Sequence, residues 1–135
     1  MPKASRVTYF KARLEDKPGA LLAVAKDLKT GNLGLVGIWA YSKEQGQADL
    51  YVVPKNPDKL RKAWKDAMLL SEEGTGFLVK GADKTGALVK TLESLATTGI
   101  NIIALEAVAA GGKYGAFLWV KPEDVEKTAT ALGAK

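Results

Sequence analysis

Cysteine and histidine are absent from all 135 residues. Without thiols there are no disulfides, no thiolate metal ligands and no cysteine nucleophile. Without imidazole there is no histidine base for a catalytic triad and no histidine metal site. A catalyst built on this chain would have to use carboxylates, lysine, tyrosine and serine alone. Arginine is scarce as well: of 20 basic residues only Arg6, Arg13 and Arg61 are arginines, a poor footprint for nucleic acid. The densest basic cluster, Lys59, Arg61, Lys62 and Lys65, alternates with Asp58 and Asp66, as on a solvated helix face. No apolar run nears the roughly 20 residues that a membrane-spanning helix needs. The opening Met1-Pro2-Lys3-Ala4-Ser5-Arg6 has no apolar signal core. A cytoplasmic protein with no cofactor and no membrane partner is expected.

What is present is an ordinary globular balance, 47% apolar and 26% charged residues with a net charge of +5. The length suits one domain or two very small ones. An internal repeat decides between them. Asp16-Lys17-Pro18-Gly19-Ala20-Leu21 matches Asp83-Lys84-Thr85-Gly86-Ala87-Leu88 at all positions but one, at an offset of 67. The same offset pairs Leu28 with Leu95, Leu33 with Ile100, Leu35 with Ile102 and Ile38 with Leu105. It also lays Leu50-Tyr51-Val52-Val53 on Phe117-Leu118-Trp119-Val120. The chain reads as a duplication, with repeats at 1–72 and 73–135.

Each repeat begins with a strand, Val7–Leu14 in the first and the shorter Phe77–Lys80 in the second, rich in β-branched and aromatic residues. A helix follows in each, with Pro18 preset for its first turn and Asp16 placed to accept from the free amides there. Its apolar stripe is Leu21, Val24, Ala25 and Leu28, repeated as Leu88, Thr91, Leu92 and Leu95. Thr30-Gly31-Asn32 and Thr98-Gly99 are stop signals. Two strands then span about 33–41 with 47–53, and 100–108 with 114–120. Glu44-Gln45-Gly46 and Ala110-Gly111-Gly112 are the hairpin turns between them. Second helices start after Pro57 and Pro122, the first with Leu60, Ala63, Trp64 and Ala67 along one stripe.

Strand–helix–strand–strand–helix is most of a ferredoxin-like α+β unit, an antiparallel sheet with helices on one face. Met68–Ser71 is a candidate fourth strand for the first repeat, before Gly74-Thr75-Gly76 opens the second. The second repeat ends without one, so its fourth strand is missing or comes from a neighbour. Several strands are apolar on both faces, which implies that the face away from the helices is also buried, against the other repeat or another chain. Trp39, Trp64 and Trp119 read as packing residues.

The recurring Asp-Lys-(Pro/Thr)-Gly-Ala-Leu string and Gly99-Ile100-Asn101-Ile102 resemble the ACT domain family, and nearly the whole chain is similar to stand-alone tandem ACT proteins. The resemblance implies a βαββαβ fold, side-by-side pairing of domains and a small effector, usually an amino acid, held at a domain interface. Carried onto this sequence, the ligand-binding residues are Asp16, Pro18, Gly19, Ala20, Leu21, Asn101 and Ile102. A possible second site has Asp83, Gly86, Ala87, Leu88, Gly34 and Leu35. Thr85 stands where the family has Pro and Gly34 where it has Asn, so the sites are unequal, and the first loop with Asn101 is favoured.

The chemistry is apt for a zwitterion. A helix N-terminus offers free N–H groups to a carboxylate, Gly19 and Gly86 permit close approach, and Asn101 or Asp16 can accept from an ammonium. Asp16 could equally be occupied in capping its helix. The expectation is a non-catalytic, amino-acid-binding regulatory homodimer, acting on a separately encoded enzyme of amino-acid metabolism. Two other readings stand beside it. One is an assembly module with no ligand. The other, disfavoured because the aromatics do not gather on one strand and no RNA-recognition signature is present, is nucleic-acid binding on the sheet.

Overall fold

The computed structural model describes residues 2–135. In chain order the elements are β1 (Lys3–Glu15), α1 (Ala20–Thr30), β2 (Leu35–Ser42), β3 (Gln47–Pro54), α2 (Pro57–Asp66), β4 (Leu70–Ala82), α3 (Val89–Thr97), β5 (Ala104–Ala110), β6 (Lys113–Trp119) and α4 (Val125–Leu132). A 3-10 turn at Pro122–Asp124 leads into α4. The chain forms two compact units. One, the inner unit, is Thr8–Gly74; the other, the outer unit, joins the residues up to Val7 to Thr75–Lys135.

The inner unit orders its strands β2-β3-β1-β4, using β1 from Thr8 and β4 as far as Gly74. The outer unit orders them β5-β6-β4-β1, using β4 from Thr75 and only Lys3–Val7 of β1. Both are antiparallel α+β units of the ferredoxin-like type. The second repeat therefore does have a fourth strand, and the opening residues of the same chain supply it. Met68–Ser71 and the glycines that open the second repeat are not separated: from Leu70 on, they lie in the one strand β4. A Cβ at Gly74 would stand 2.6 Å from the Tyr9 hydroxyl, and one at Gly76 would overlap the Phe117 ring. Both glycines are there to admit aromatic rings, not to break the chain.

Strand register decides which side chains meet the helices. In the inner unit Phe10 faces Val52 and Ala12 faces Leu50. These join Val24 and Leu28 of α1 with Leu60 and Trp64 of α2 in one core. In the outer unit Phe77 faces Leu118 and Val79 faces Ala116, packed with Leu95 and Ala129. Burying each large apolar side chain contributes about 1.5–3 kcal/mol. The equivalences are telling. Phe10 and Phe77 keep the offset of 67, but Val52 corresponds to Leu118 and Leu50 to Ala116, an offset of 66. The cause is the hairpin. Residues 43–46 join β2 to β3, whereas only Gly111 (φ 61°) and Gly112 (φ 79°) join β5 to β6, a two-residue turn with both central residues left-handed. Counted between the equivalent ladder pairs Ile38–Val52 and Leu105–Leu118 the outer unit is one residue shorter, and this turns every side chain of the last strand to the opposite face relative to an ungapped alignment. Leu50-Tyr51-Val52-Val53 thus does not superpose on Phe117-Leu118-Trp119-Val120.

The face opposite the helices is buried too at Tyr9, Val53 and Phe117. In the inner unit it carries Trp39 stacked on Tyr51 at 5.8 Å, with Tyr9 and Tyr41 alongside at 6.2 and 6.3 Å from the same ring. These aromatics come from three strands, β1, β2 and β3, and gather on one face. Tyr9 is nevertheless buried, Trp39 and Tyr51 are half-buried, and only Tyr41 is exposed.

All four helices end alike. Leu33, Leu69, Ile100 and Ala134 each donate their backbone N–H to the carbonyl five residues back, at 2.8–2.9 Å. The residue before each is left-handed: Asn32, Met68, Gly99 and Gly133. This is the Schellman closure. The helix starts are less uniform. Asn56 caps α2 by accepting from the Lys59 N–H, with Pro57 in the first turn. α1 begins only at Ala20, after Gly19 and without a side-chain cap. Pro18 is outside the helix, and Asp16 does not cap it.

Ion pairs fasten the fourth strands. In the outer unit Arg6 on β1 forks onto Glu126 of α4 at 2.6 and 3.1 Å. In the inner unit Arg61 of α2 grips Glu73 on β4 at 2.9 Å. The same strand–helix bridge recurs with its charges exchanged. Asp49 is buried in the inner unit, with Lys43 Nζ at 2.9 Å and Lys11 Nζ at 3.5 Å from Oδ2. Burial pushes its carboxyl up, but the Lys43 hydrogen bond and the two ammonium charges outweigh this and hold it below the usual carboxylate range. Hydrogen bonds from Arg6 and Arg61 hold Glu126 and Glu73 low in the same way.

Two outcomes follow from these pairs. Arg6→Glu lowers the thermal midpoint by about 3 °C, and adding Glu126→Arg restores it, as read by calorimetry. Three carboxyls with folded values below their unfolded values of about 4 stabilise the fold fully above that pH, and lose this contribution as pH falls through the lower folded values. Denaturant titrations from pH 6 to pH 2 should show stability falling most steeply below pH 4. Asp49→Asn should reduce both stability at pH 6 and that slope.

Candidate functional site

In both repeats the loop after the first strand is anchored by the same bond. Asp16 N–H donates to the Gly46 carbonyl at 2.8 Å, and Asp83 N–H to the Gly112 carbonyl at 3.0 Å. Each loop is thereby tied to the hairpin of its own unit. Gly19 (φ 88°) and Gly86 (φ 76°) take the left-handed turn that aims the chain into the following helix. Space is open above Gly19, where an added Cβ would meet nothing within 4 Å.

In the outer unit this loop walls an open concavity of about 380 Å³. Asp83, Lys84, Gly86, Ala87 and Leu88 form one side; Ala107, Val108 and Ala109 of β5 and Tyr114 of β6 form the other. Asp83, Lys84 and Gly86 are exposed at its rim. Ala87 and Leu88 are half-buried and pack onto the core below. Tyr114 is 8% exposed, and its hydroxyl is buried with no hydrogen-bond partner among the described residues. All four residues expected from this loop, Asp83, Gly86, Ala87 and Leu88, are therefore brought together around one hollow.

The remaining expected residues are placed separately. Asp16, Pro18 and Gly19 lie exposed in the inner unit's loop, with Ala20 and Leu21 opening α1 and Leu21 44% exposed. Gly34 gives its carbonyl to the Lys55 N–H at 2.9 Å, and Leu35 packs onto the inner core. Asn101 is exposed in the segment before β5 rather than at the start of the strand, and Ile102 packs onto the outer core.

Tyr114 is the residue that sequence reasoning missed. It pairs across the ladder with Gly81. A Cβ at Gly81 would come within 2.7 Å of the ring at Cε1, so glycine makes the room for it. The same ladder position in the inner unit is Leu14 opposite Ala48. Large-opposite-small has been exchanged for small-opposite-large, and the exchange brings a hydroxyl into one unit only. The signal is in the sequence, but only once the shorter hairpin is recognised; an ungapped alignment sets Tyr114 against Gln47.

Among the described residues no group of acidic side chains is arranged to hold a metal ion, and no helix is long and apolar enough to cross a membrane.

No protein-family model matches the sequence, and no curated protein matches it. Solved structures share its fold. Protein BT0572 from Bacteroides thetaiotaomicron is similar over 96% of this chain and 88% of its own, with a TM-score of 0.83 and 22% identity. The regulatory subunit of aspartate kinase from Thermus thermophilus, in ligand-free form, is similar over 98% and 93%, with a TM-score of 0.64 and 15% identity. That from Thermus flavus gives 98% and 94%, 0.63 and 14%. The fold of this chain is the fold of aspartate kinase regulatory subunits, the ACT-like arrangement.

Proposed function

We propose that this chain is a non-catalytic regulatory protein that binds a free amino acid and communicates its presence to an enzyme of amino-acid metabolism. The observation that carries the reading is the hollow beneath the loop Asp83–Leu88. An anionic and a cationic side chain stand at its rim, a glycine-opened helix approach lies on one side, and alanine walls line the other. Such a site suits a small zwitterion, with Asp83 facing an ammonium and Lys84 a carboxylate. The likeness to regulatory subunits of aspartate kinase supports the regulatory role. The loop Asp16–Leu21, which the sequence favoured together with Asn101 and Ile102, becomes the second candidate and rests on the family resemblance.

The test is a thermal-shift screen of the full chain against the twenty amino acids. A ligand at 100 times its dissociation constant adds about 2.7 kcal/mol of stability, and at least one amino acid should give such a shift. A flat response to all twenty refutes the reading. Asn101→Ala then separates the sites: weakened binding assigns the effector to Asn101, and unchanged binding removes Asn101 from the site.

Self-association belongs to the same proposal. β2 and β5 are the outermost strands of their units. Equivalent apolar positions stay uncovered in both: Leu22 and Val89 at 56% and 49%, Val36 and Ile103 at 49% and 50%, Ile38 and Leu105 at 45% and 36%. β2 carries no charged residue and no proline along its length, so nothing on it discourages edge pairing. A homodimer that covers these positions is the proposed assembly. Light scattering should give twice the chain mass for the wild type, and the mass of one chain for Ile38→Lys or Leu105→Lys, whichever edge pairs. A single-chain mass for the wild type excludes the dimer.

A further inference from the structure

We infer that the effector is an amino acid with an aliphatic side chain, held in the outer unit by Lys84 at its carboxylate and by a hydrocarbon wall along its side chain. This rests on the amino-acid reading above and names the class of effector.

Lys84 is released for this task by one exchange between the repeats. In the inner unit the equivalent Lys17 is held by Glu15 at 2.9 Å. The offset of 67 puts Ala82 where Glu15 stands. Lys84 is exposed and has no ion pair among the described residues. Its ammonium is open to an anion at the rim of the hollow.

The wall differs in the same direction. Register places Ser42 opposite Ala48 and Tyr41 opposite Asp49 in the inner unit. The same ladder positions in the outer unit hold Ala109 opposite Tyr114 and Val108 opposite Gly115. Two hydroxyls and a carboxylate give way to hydrocarbon, glycine and one aromatic ring. That tyrosine adds no polar surface to the hollow, because its hydroxyl is buried. Behind the charged rim, the lining side chains are Ala87, Leu88, Ala107, Val108, Ala109 and the Tyr114 ring. A polar side chain laid against them gives up water and gains no partner. An aliphatic one gains with every carbon it covers. The volume of about 380 Å³ is near the lower end of the roughly 300–1,000 Å³ usual for small-molecule sites, which fits a single amino acid.

The experiment is titration calorimetry of the full chain with alanine, 2-aminobutyrate, norvaline and norleucine, and with valine against its near-isostere threonine. Affinity should rise about two- to fourfold with each added carbon, and valine should bind more tightly than threonine. Lys84→Gln should weaken norvaline about threefold and leave norvaline amide, which lacks the carboxylate, unaffected. Lys84→Arg should restore the wild-type value. Ala109→Asp, at an exposed position, should flatten the carbon series. If amino acids bind but the wild-type series is flat, or threonine matches valine, the inference fails while the regulatory reading stands. Equal losses for norvaline and its amide in Lys84→Gln take Lys84 away from the carboxylate and overturn it too. A series that stays steep in Ala109→Asp places the side chain elsewhere, with the same result. If no amino acid binds the wild type at all, the regulatory reading itself fails, and this inference falls with it.

Discussion

Antiparallel strand register is the constraint on which the rest of this structure depends. Side chains alternate between faces with a period of two, so the pairing of Phe10 with Val52 and of Phe77 with Leu118 settles every neighbour along those ladders. It sends Leu50, Val52, Ala116 and Leu118 beneath the helices and Tyr51 and Phe117 to the far face. It also puts Tyr114 beside the loop that precedes α3. A single residue fewer in the second hairpin is what separates this arrangement from one in which that tyrosine would point away from the helices.

The two repeats show how duplicated sequence drifts within fixed geometry. The loop anchors, the Schellman ends and the strand–helix ion pairs recur, because each satisfies a backbone or charge requirement that both copies share. Details are free to vary where total volume or charge product is conserved. Leu14 with Ala48 became Gly81 with Tyr114, and Arg61 with Glu73 is mirrored by Arg6 with Glu126. Fold and stability tolerate such exchanges, although at this ladder position only one copy carries a hydroxyl.

Much of this was readable from residues alone. The α+β class, the helix stops at Thr30-Gly31-Asn32 and Thr98-Gly99, both hairpin turns and the loop Asp83–Leu88 all follow from local signals: periodicity, left-handed residues and turn chemistry. The misreadings share one origin, the long-range partner. Met68–Ser71 reads as a short strand ending before Gly74 until Tyr9 and Phe117 are seen to need the space at Gly74 and Gly76 within one long strand. Pro18 and Asp16 look like a helix start until the chain turns at Gly19 first. The fourth strand of the outer unit could not be found near the end of its repeat because it lies some 70 residues earlier in the sequence.

That last feature imposes an order on biosynthesis. The inner unit is contiguous, so all of its strands and helices are available once Gly74 has left the ribosome. Lys3–Val7 emerge before the inner unit, yet the strand they accompany appears only with Thr75 and the helix that Arg6 grips only with Glu126. Closing so long a span carries an entropic cost that grows slowly with its length, and it slows assembly more than it weakens the product. A strand made before the whole inner unit is among the last to find its place.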